Sequence, residues 1–196
     1  MNNTYVYEID GNLYVNLTNE CSNACEFCVR ANREKYDGYD LWLEKEPEAE
    51  DVLKFIDENA KYKQIVFCGY GEPTCRFETM KKIAEALKGK FTLRLNTNGQ
   101  GNLINGRDIT DEIASLFDEV NVSMNASTAE KYDDICHSVY GKRAFGSMIE
   151  FAALCAKKGV KTHFSVVDII GKEEVEACRV LAFQNRVLFR VREYID

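Results

Sequence analysis

Cys21, Cys25 and Cys28 occupy one short segment, Asn19-Glu20-Cys21-Ser22-Asn23-Ala24-Cys25-Glu26-Phe27-Cys28, at C-x₃-C-x₂-C spacing. Three such thiolates suit a soft metal centre, and an iron-sulfur cubane normally takes four cysteine ligands. A three-cysteine run therefore leaves one iron open to a substrate or cofactor. The remaining cysteines, Cys68, Cys75, Cys136, Cys155 and Cys178, are widely spaced and form no second C-x₂-C pair. They read as small hydrophobes, with Cys75 beside a glycine loop the one whose thiol merits following. His137 and His163 complete no metal-ligand pattern with the triad, which disfavours a four-ligand zinc site.

A second chemical segment is Gly69-Tyr70-Gly71-Glu72-Pro73-Thr74, where glycines permit close backbone approach and Glu72 supplies an acceptor. Further on come Asn96-Thr97-Asn98-Gly99 and the alternating run Val122-Ser123-Met124-Asn125, whose period of two places Ser123 and Asn125 on one face of a strand. The same alternation puts Arg190 and Arg192 on one face near the end of the chain.

The elements that must carry these residues alternate. Strands are expected over residues 13–17, 64–68, 91–96, 119–124, 161–167 and 187–191, several of them continuous apolar runs typical of buried parallel strands. Between them lie stripes at helical spacing: Val52, Phe55, Ile56 and Asn59; Met80, Ile83, Ala84 and Leu87; Ile113, Leu116 and Phe117; Met148, Phe151, Ala152 and Cys155; Val175, Cys178, Leu181 and Ala182. The pattern is α/β, with repeated βα units around a parallel sheet. A full eight-unit barrel takes about 250 residues, so 196 residues suit an open, partial (β/α)₆ barrel in one domain spanning 1–196. Reactive residues in such sheets sit on loops after the C-terminal strand ends, where the cysteine run falls. The stretch 30–50 breaks the rhythm as a long loop whose Tyr36, Tyr39 and Trp42 either pack on the barrel or line an entrance.

With 25 basic and 32 acidic side chains the net charge is −7. Broad phosphate-backbone binding needs a basic surface, so nucleic acid is not an expected partner beyond a local patch of Arg30, Arg33 and Lys35. No apolar run approaches the roughly 20 residues of a membrane span. The N-terminus does not resemble a signal peptide, and the expected location is cytoplasmic with reduced thiols.

Taken together, the cysteine spacing with Phe27 before the last thiol, and Gly69-Tyr70-Gly71-Glu72-Pro73 after the second strand, resemble the radical S-adenosylmethionine (SAM) superfamily. The resemblance implies a 4Fe-4S cluster held by Cys21, Cys25 and Cys28, with SAM chelating the fourth iron through its amino and carboxylate groups. It implies reductive cleavage of SAM to methionine and a 5′-deoxyadenosyl radical that abstracts hydrogen from a substrate. The implied SAM contacts are Phe27, Gly69, Tyr70, Gly71, Glu72, Pro73, Asn96, Asn98, Ser123, Asn125, Ser165 and Val167. Tyr70 stands where the family often has glycine, and Asp168-Ile169-Ile170-Gly171 only loosely matches the family's G-x-I-x-G segment.

The implied partners are a one-electron donor such as flavodoxin or ferredoxin and a substrate, small molecule or protein. Within the superfamily the chain looks similar to small proteins named for association with TatD-type nucleases. A glycyl-radical activating enzyme and a small-heterocycle enzyme resembling carboxydeazaguanine synthase are alternatives. From another class, the thiols could belong to a non-catalytic metal-binding or electron-transfer module.

Overall fold

Apolar runs flanked by helix-period segments become strands of one sheet. The computed structural model describes residues 3–32, 35–57 and 60–194. In chain order the strands are β1 (Val6–Ile9), β2 (Asn12–Val15), β3 (Ile65–Phe67), β4 (Leu93–Thr97), β5 (Glu119–Ser123), β6 (Lys161–Val167) and β7 (Leu188–Arg192), and they lie side by side in that order. β2 through β7 pair in parallel, as the six expected strands should.

β1 is an addition to the expected set, antiparallel to β2 with Ile9 opposite Asn12. The two residues between them, Asp10 and Gly11, both have positive φ, at 53° and 76°. Asp-Gly is the sequence signature of such a tight hairpin, and it was there to be read.

Eight α-helices connect the described strands: α1 (Val29–Asn32), α2 (Ala49–Leu53), α3 (Phe77–Leu87), α4 (Gly101–Asn105), α5 (Thr110–Leu116), α6 (Ala129–Cys136), α7 (Arg143–Lys157) and α8 (Lys172–Gln184). Met80, Ile83, Ala84 and Leu87 of α3 and Met148, Phe151, Ala152 and Cys155 of α7 are buried, as their spacing requires. They form one core with Leu93, Leu95, Val120, Val122, Phe164 and Val166 from one face of the sheet. Each large side chain so buried contributes about 1.5–3 kcal/mol. Cys178 and Ala182 of α8 join the same core.

The stripe through Phe55 is not continued. α2 ends at Leu53, so Val52 and Ile56 are buried while Phe55 is 60% exposed. Asn59, and Arg33 of the basic patch, lie outside the described residues. Arg30 is half-buried, and its guanidinium donates to the carbonyls of Asn19 at 3.0 Å and Asn23 at 3.2 Å.

Strand periodicity sends the alternate residues of β4 to β7 to the opposite side of the sheet. Register aligns Asn96 with Asn121 and His163, and Ser123 with Ser165 and Arg190. That side is polar where its partner is apolar, and it lines the candidate site.

Between residue 35 and α2 the described segment is pinned to the sheet. Asn16, fully buried, donates to Leu41 O at 2.8 Å, and Asn19 exchanges two hydrogen bonds with the Leu43 backbone. Of the loop's aromatics, Tyr39 packs on Tyr7 with ring centroids 5.5 Å apart, and Trp42 meets Tyr70 edge-on at 5.3 Å. Tyr7, Leu41 and Tyr70 form a small second core with Tyr36 and Tyr39 against it.

Candidate functional site

A cleft of about 240 Å³ opens at the C-terminal ends of the parallel strands. Cys21, Cys25, Phe27 and Cys28 face it from the loop after β2, and Gly69, Tyr70, Gly71 and Glu72 from the loop after β3. Asn96, Asn98, Asn121, Ser123, Asn125, Ser165, Arg190 and Arg192 line the rest. Thus ten of the twelve expected SAM contacts surround one space. Pro73 and Val167 do not reach it: Pro73 is buried at the start of a single 3₁₀ turn, Pro73–Arg76, and Val167 is buried at the end of β6.

Glycine in the second loop also serves the packing of the loop itself. A Cβ on Gly71 would stand 2.3 Å from Thr18 O and 2.6 Å from Glu20 O, and one on Gly69 would stand 2.0 Å from Asn16 Oδ1. These contacts let the loop lie directly on the cysteine loop, where Glu72 N donates to Glu20 O at 2.7 Å. Only glycine fits such a backbone crossing.

Glu72 likewise turns inward. Its Oε1 accepts from Thr74 N at 3.1 Å, Thr74 Oγ1 at 2.8 Å and Thr97 Oγ1 at 2.7 Å, while Oε2 accepts from Asn98 N at 2.7 Å. Burial pushes this carboxyl above its ordinary value, and the hydrogen bonds pull against that rise. Glu72 thus lines the cleft and at the same time braces the β3 and β4 loops.

A buried polar cluster holds the cysteine loop from the other side. Gln100, with no exposed surface, accepts from Ser22 Oγ at 2.9 Å and Ser138 Oγ at 2.8 Å through Oε1. Through Nε2 it donates to Asn23 Oδ1 at 2.7 Å and to Tyr132 Oη at 3.0 Å. Asn98 Nδ2 adds a bond to Ser22 Oγ at 2.9 Å and lies 3.9 Å from Cys21 Sγ. Sequence reading missed Gln100, Tyr132, Ser22 and Asn23; the one available signal was that polar residues flank both the triad and Asn98-Gly99.

Burial pushes the Cys21 thiol up to about 12 and raises that of Cys28. Cys25 is also raised, first by its hydrogen bond with Cys136 and then by burial. Cys136 is thus more than core filling, since it touches the middle thiol of the triad. Cys68 departs from the hydrophobe reading as well, because it lines the cleft beside Asn96. Cys75 is half-buried, its thiol pushed up to about 12 by burial.

The donor set fits an iron-sulfur cluster. Three soft thiols face one cleft, and metal binding would take them as thiolates. Among the described residues no three His, Cys, Asp or Glu side chains converge on a single ion. A cubane does not require this, because each thiolate binds a different iron. Unpartnered buried oxygens at Asn121 Oδ1 and Asn125 Oδ1 leave acceptors for a polar ligand. Asn125 has φ 57° and also borders an adjoining cavity of about 370 Å³ lined by Ile135, Ile170 and Glu174.

Residues 15–181 match the family model of the radical SAM superfamily. A tungsten-containing aldehyde ferredoxin oxidoreductase cofactor-modifying protein from Pyrococcus furiosus is 33% identical over 118 residues, covering 57% of this chain and 28% of that protein. SuiB from Streptococcus suis bound to precursor peptide SuiA has a similar fold, with TM-score 0.70 at 16% identity over 97% of this chain and 40% of that one. The SuiB structure bound to S-adenosylmethionine gives TM-score 0.69 at 15% identity, over 90% and 39%. The chain spans about a quarter of the Pyrococcus protein and two fifths of SuiB. The observed architecture is the expected α/β partial barrel, and no helix among the described residues is long and apolar enough to cross a membrane.

Proposed function

Because this chain belongs to the radical SAM superfamily, we propose that Cys21, Cys25 and Cys28 hold a 4Fe-4S cluster and that SAM lies in the cleft above β3 to β6. The observation carrying this reading is the gathering of the three thiols, the Gly69–Glu72 loop and the polar face of the sheet around one space. Bound there and reduced by a one-electron donor such as flavodoxin or ferredoxin, the cluster and SAM would supply a 5′-deoxyadenosyl radical for hydrogen abstraction from a substrate.

The chain's own residues position and shield. Arg30 fastens the cysteine loop through the carbonyls of Asn19 and Asn23. Gly71 allows the second loop to press on the first, and Phe27 gives the cleft an apolar wall that keeps water from a reactive centre. Ser123, Asn125 and Ser165 offer hydroxyl and amide groups for a ribose. Asn96 and Asn98 offer amides on the adjoining side.

The test is anaerobic reconstitution followed by reduction in the presence of SAM. Formation of 5′-deoxyadenosine, with loss of cluster iron in Cys25→Ala, is expected. Absence of the nucleoside together with unchanged iron in the variant would refute the proposal. The likeness to a cofactor-modifying protein and to a peptide-binding one leaves the substrate to be found by deuterium transfer from labelled candidates into 5′-deoxyadenosine.

A further inference from the structure

The polar side of the sheet holds positive charge that nothing described so far uses. Arg94 in β4, and Arg190 and Arg192 in β7, all fall on the inward register of their strands. Arg190 and Arg192 line the cleft together with Cys68, Asn96 and Asn121. Arg94 lies lower, next to Tyr14.

Among the described residues, no ion pair joins any of the three arginines to a carboxylate. Glu119, the acid on that side, takes Lys161 at 3.2 Å and stands 3.5 Å from His163. Glu72 is engaged by Thr74, Thr97 and Asn98. Nε of Arg94 and Nε of Arg192 are buried with no hydrogen-bond partner.

A guanidinium does not shed its proton at ordinary pH, so its desolvation must be offset by an anion or by hydrogen bonds. Burial depresses Arg192 below its ordinary value. Arg192 is half-buried and Arg190 exposed at the cleft, and the protein as a whole carries −7, so this local positive charge is not an extension of a basic surface. Asn121, only 4% exposed, donates to Asn96 Oδ1 at 3.1 Å and leaves its own Oδ1 unpartnered toward the same cleft.

We infer that the substrate carries an oxyanion group, a carboxylate or a phosphate, received by Arg192 and Arg190, with a neighbouring hydroxyl or amine donating to Asn121 Oδ1. Arg94 reinforces the positive field from below. A planar guanidinium matches either oxyanion through paired N–H donors. The inference rests on the radical SAM reading for the word substrate, but the binding itself is measurable without turnover.

The experiment is calorimetric titration of the full chain, reconstituted with its cluster, using inorganic phosphate, succinate and uncharged succinamide as probes. Saturable binding of phosphate or succinate but not succinamide is expected, and the tighter of the two names the oxyanion source. Arg192→Gln should weaken that binding at least about tenfold, with Arg192→Lys intermediate and Arg179→Gln on the outer helix unchanged. Thermal melting identifies a variant that has failed to fold, and falling affinity with added salt in the native chain then provides the independent readout.

Binding should persist with SAM at saturation. No saturable anion binding, equal binding of succinamide, or undiminished affinity in folded Arg192→Gln would overturn the inference. Competitive displacement by SAM would also overturn it, since the arginines would then serve SAM's own carboxylate. A protein that binds the anion yet makes no 5′-deoxyadenosine, with iron unchanged in Cys25→Ala, would refute the enzyme reading alone; one that makes the nucleoside without binding the anion would refute this one alone.

Discussion

Glu72 accepts the backbone N–H of Asn98 at 2.7 Å, so the loop after β3 and the loop after β4 share one buried carboxylate. Thr74 and Thr97 bond to its other oxygen. Replacement by alanine leaves several buried donors without an acceptor, each costing about 1–3 kcal/mol. We expect Glu72→Ala to lose about 3 kcal/mol or more in urea unfolding, and Glu72→Gln to lose less because it keeps one carbonyl oxygen. Equal stability of Glu72→Ala and the native chain would show that the brace is not needed.

Glycine positions separate in the same way. Gly71→Ala drives a Cβ into two backbone carbonyls, whereas a Cβ at Gly146, inside α7, meets nothing within 4 Å. Gly146→Ala should raise stability by about 0.5–1 kcal/mol through helix propensity. Gly71→Ala should lower both melting temperature and reconstituted iron content. If the two substitutions behave alike, the close crossing of the loops is not what requires glycine.

Much of this fold was legible because buried parallel strands and amphipathic helices leave periodic marks; the stripe from Met80 to Leu87 and that from Met148 to Cys155 describe their helices directly. β1 was hidden by its shortness and by the mixed character of Val6-Tyr7-Glu8-Ile9, although Asp10-Gly11 announced the turn. In the site, the cysteines and the glycine loop could be read from spacing. Gln100 could not, because its partners Ser22, Asn23, Tyr132 and Ser138 come together only through tertiary packing. The sequence likewise showed that Arg190 and Arg192 share a face without showing which face it is.

Gln100 should behave as a keystone for the cysteine loop. Gln100→Leu keeps volume but strands the donor hydroxyls of Ser22 and Ser138 and the acceptor Asn23 Oδ1, while Tyr132 Oη keeps Asn23 Nδ2 at 3.0 Å, a loss of about 2–4 kcal/mol. Hydrogen exchange offers the local check: the amides of Ala24 and Val139, which donate to Cys136 O and Ser22 O, should lose protection before those of β4 and β5. Uniform loss across the sheet, or none, would contradict that role.

On the outer surface, Glu112 is held down to about 2, first by its hydrogen bond with Arg107 and then by Lys81. A carboxylate depressed in the folded state adds stability above its unfolded value, near 4.5, and that stability is lost as pH falls toward 2. Thermal melts of Glu112→Gln should therefore show a shallower decline between those pH values than the native chain. Exposure to solvent keeps the difference modest; parallel acid limbs would disprove the linkage.

Among the described residues β7 is the outermost strand of the order, with Leu188 and Val191 53% and 40% exposed. A bare apolar edge is a template on which a strand from another molecule can add. Arg190 and Arg192 interrupt that template with two charges in a five-residue strand. Wherever this strand is left uncovered, the arginines at the cleft also disfavour the addition of a strand from another molecule, so neutralising both of them is expected to change solubility as well as the proposed anion binding.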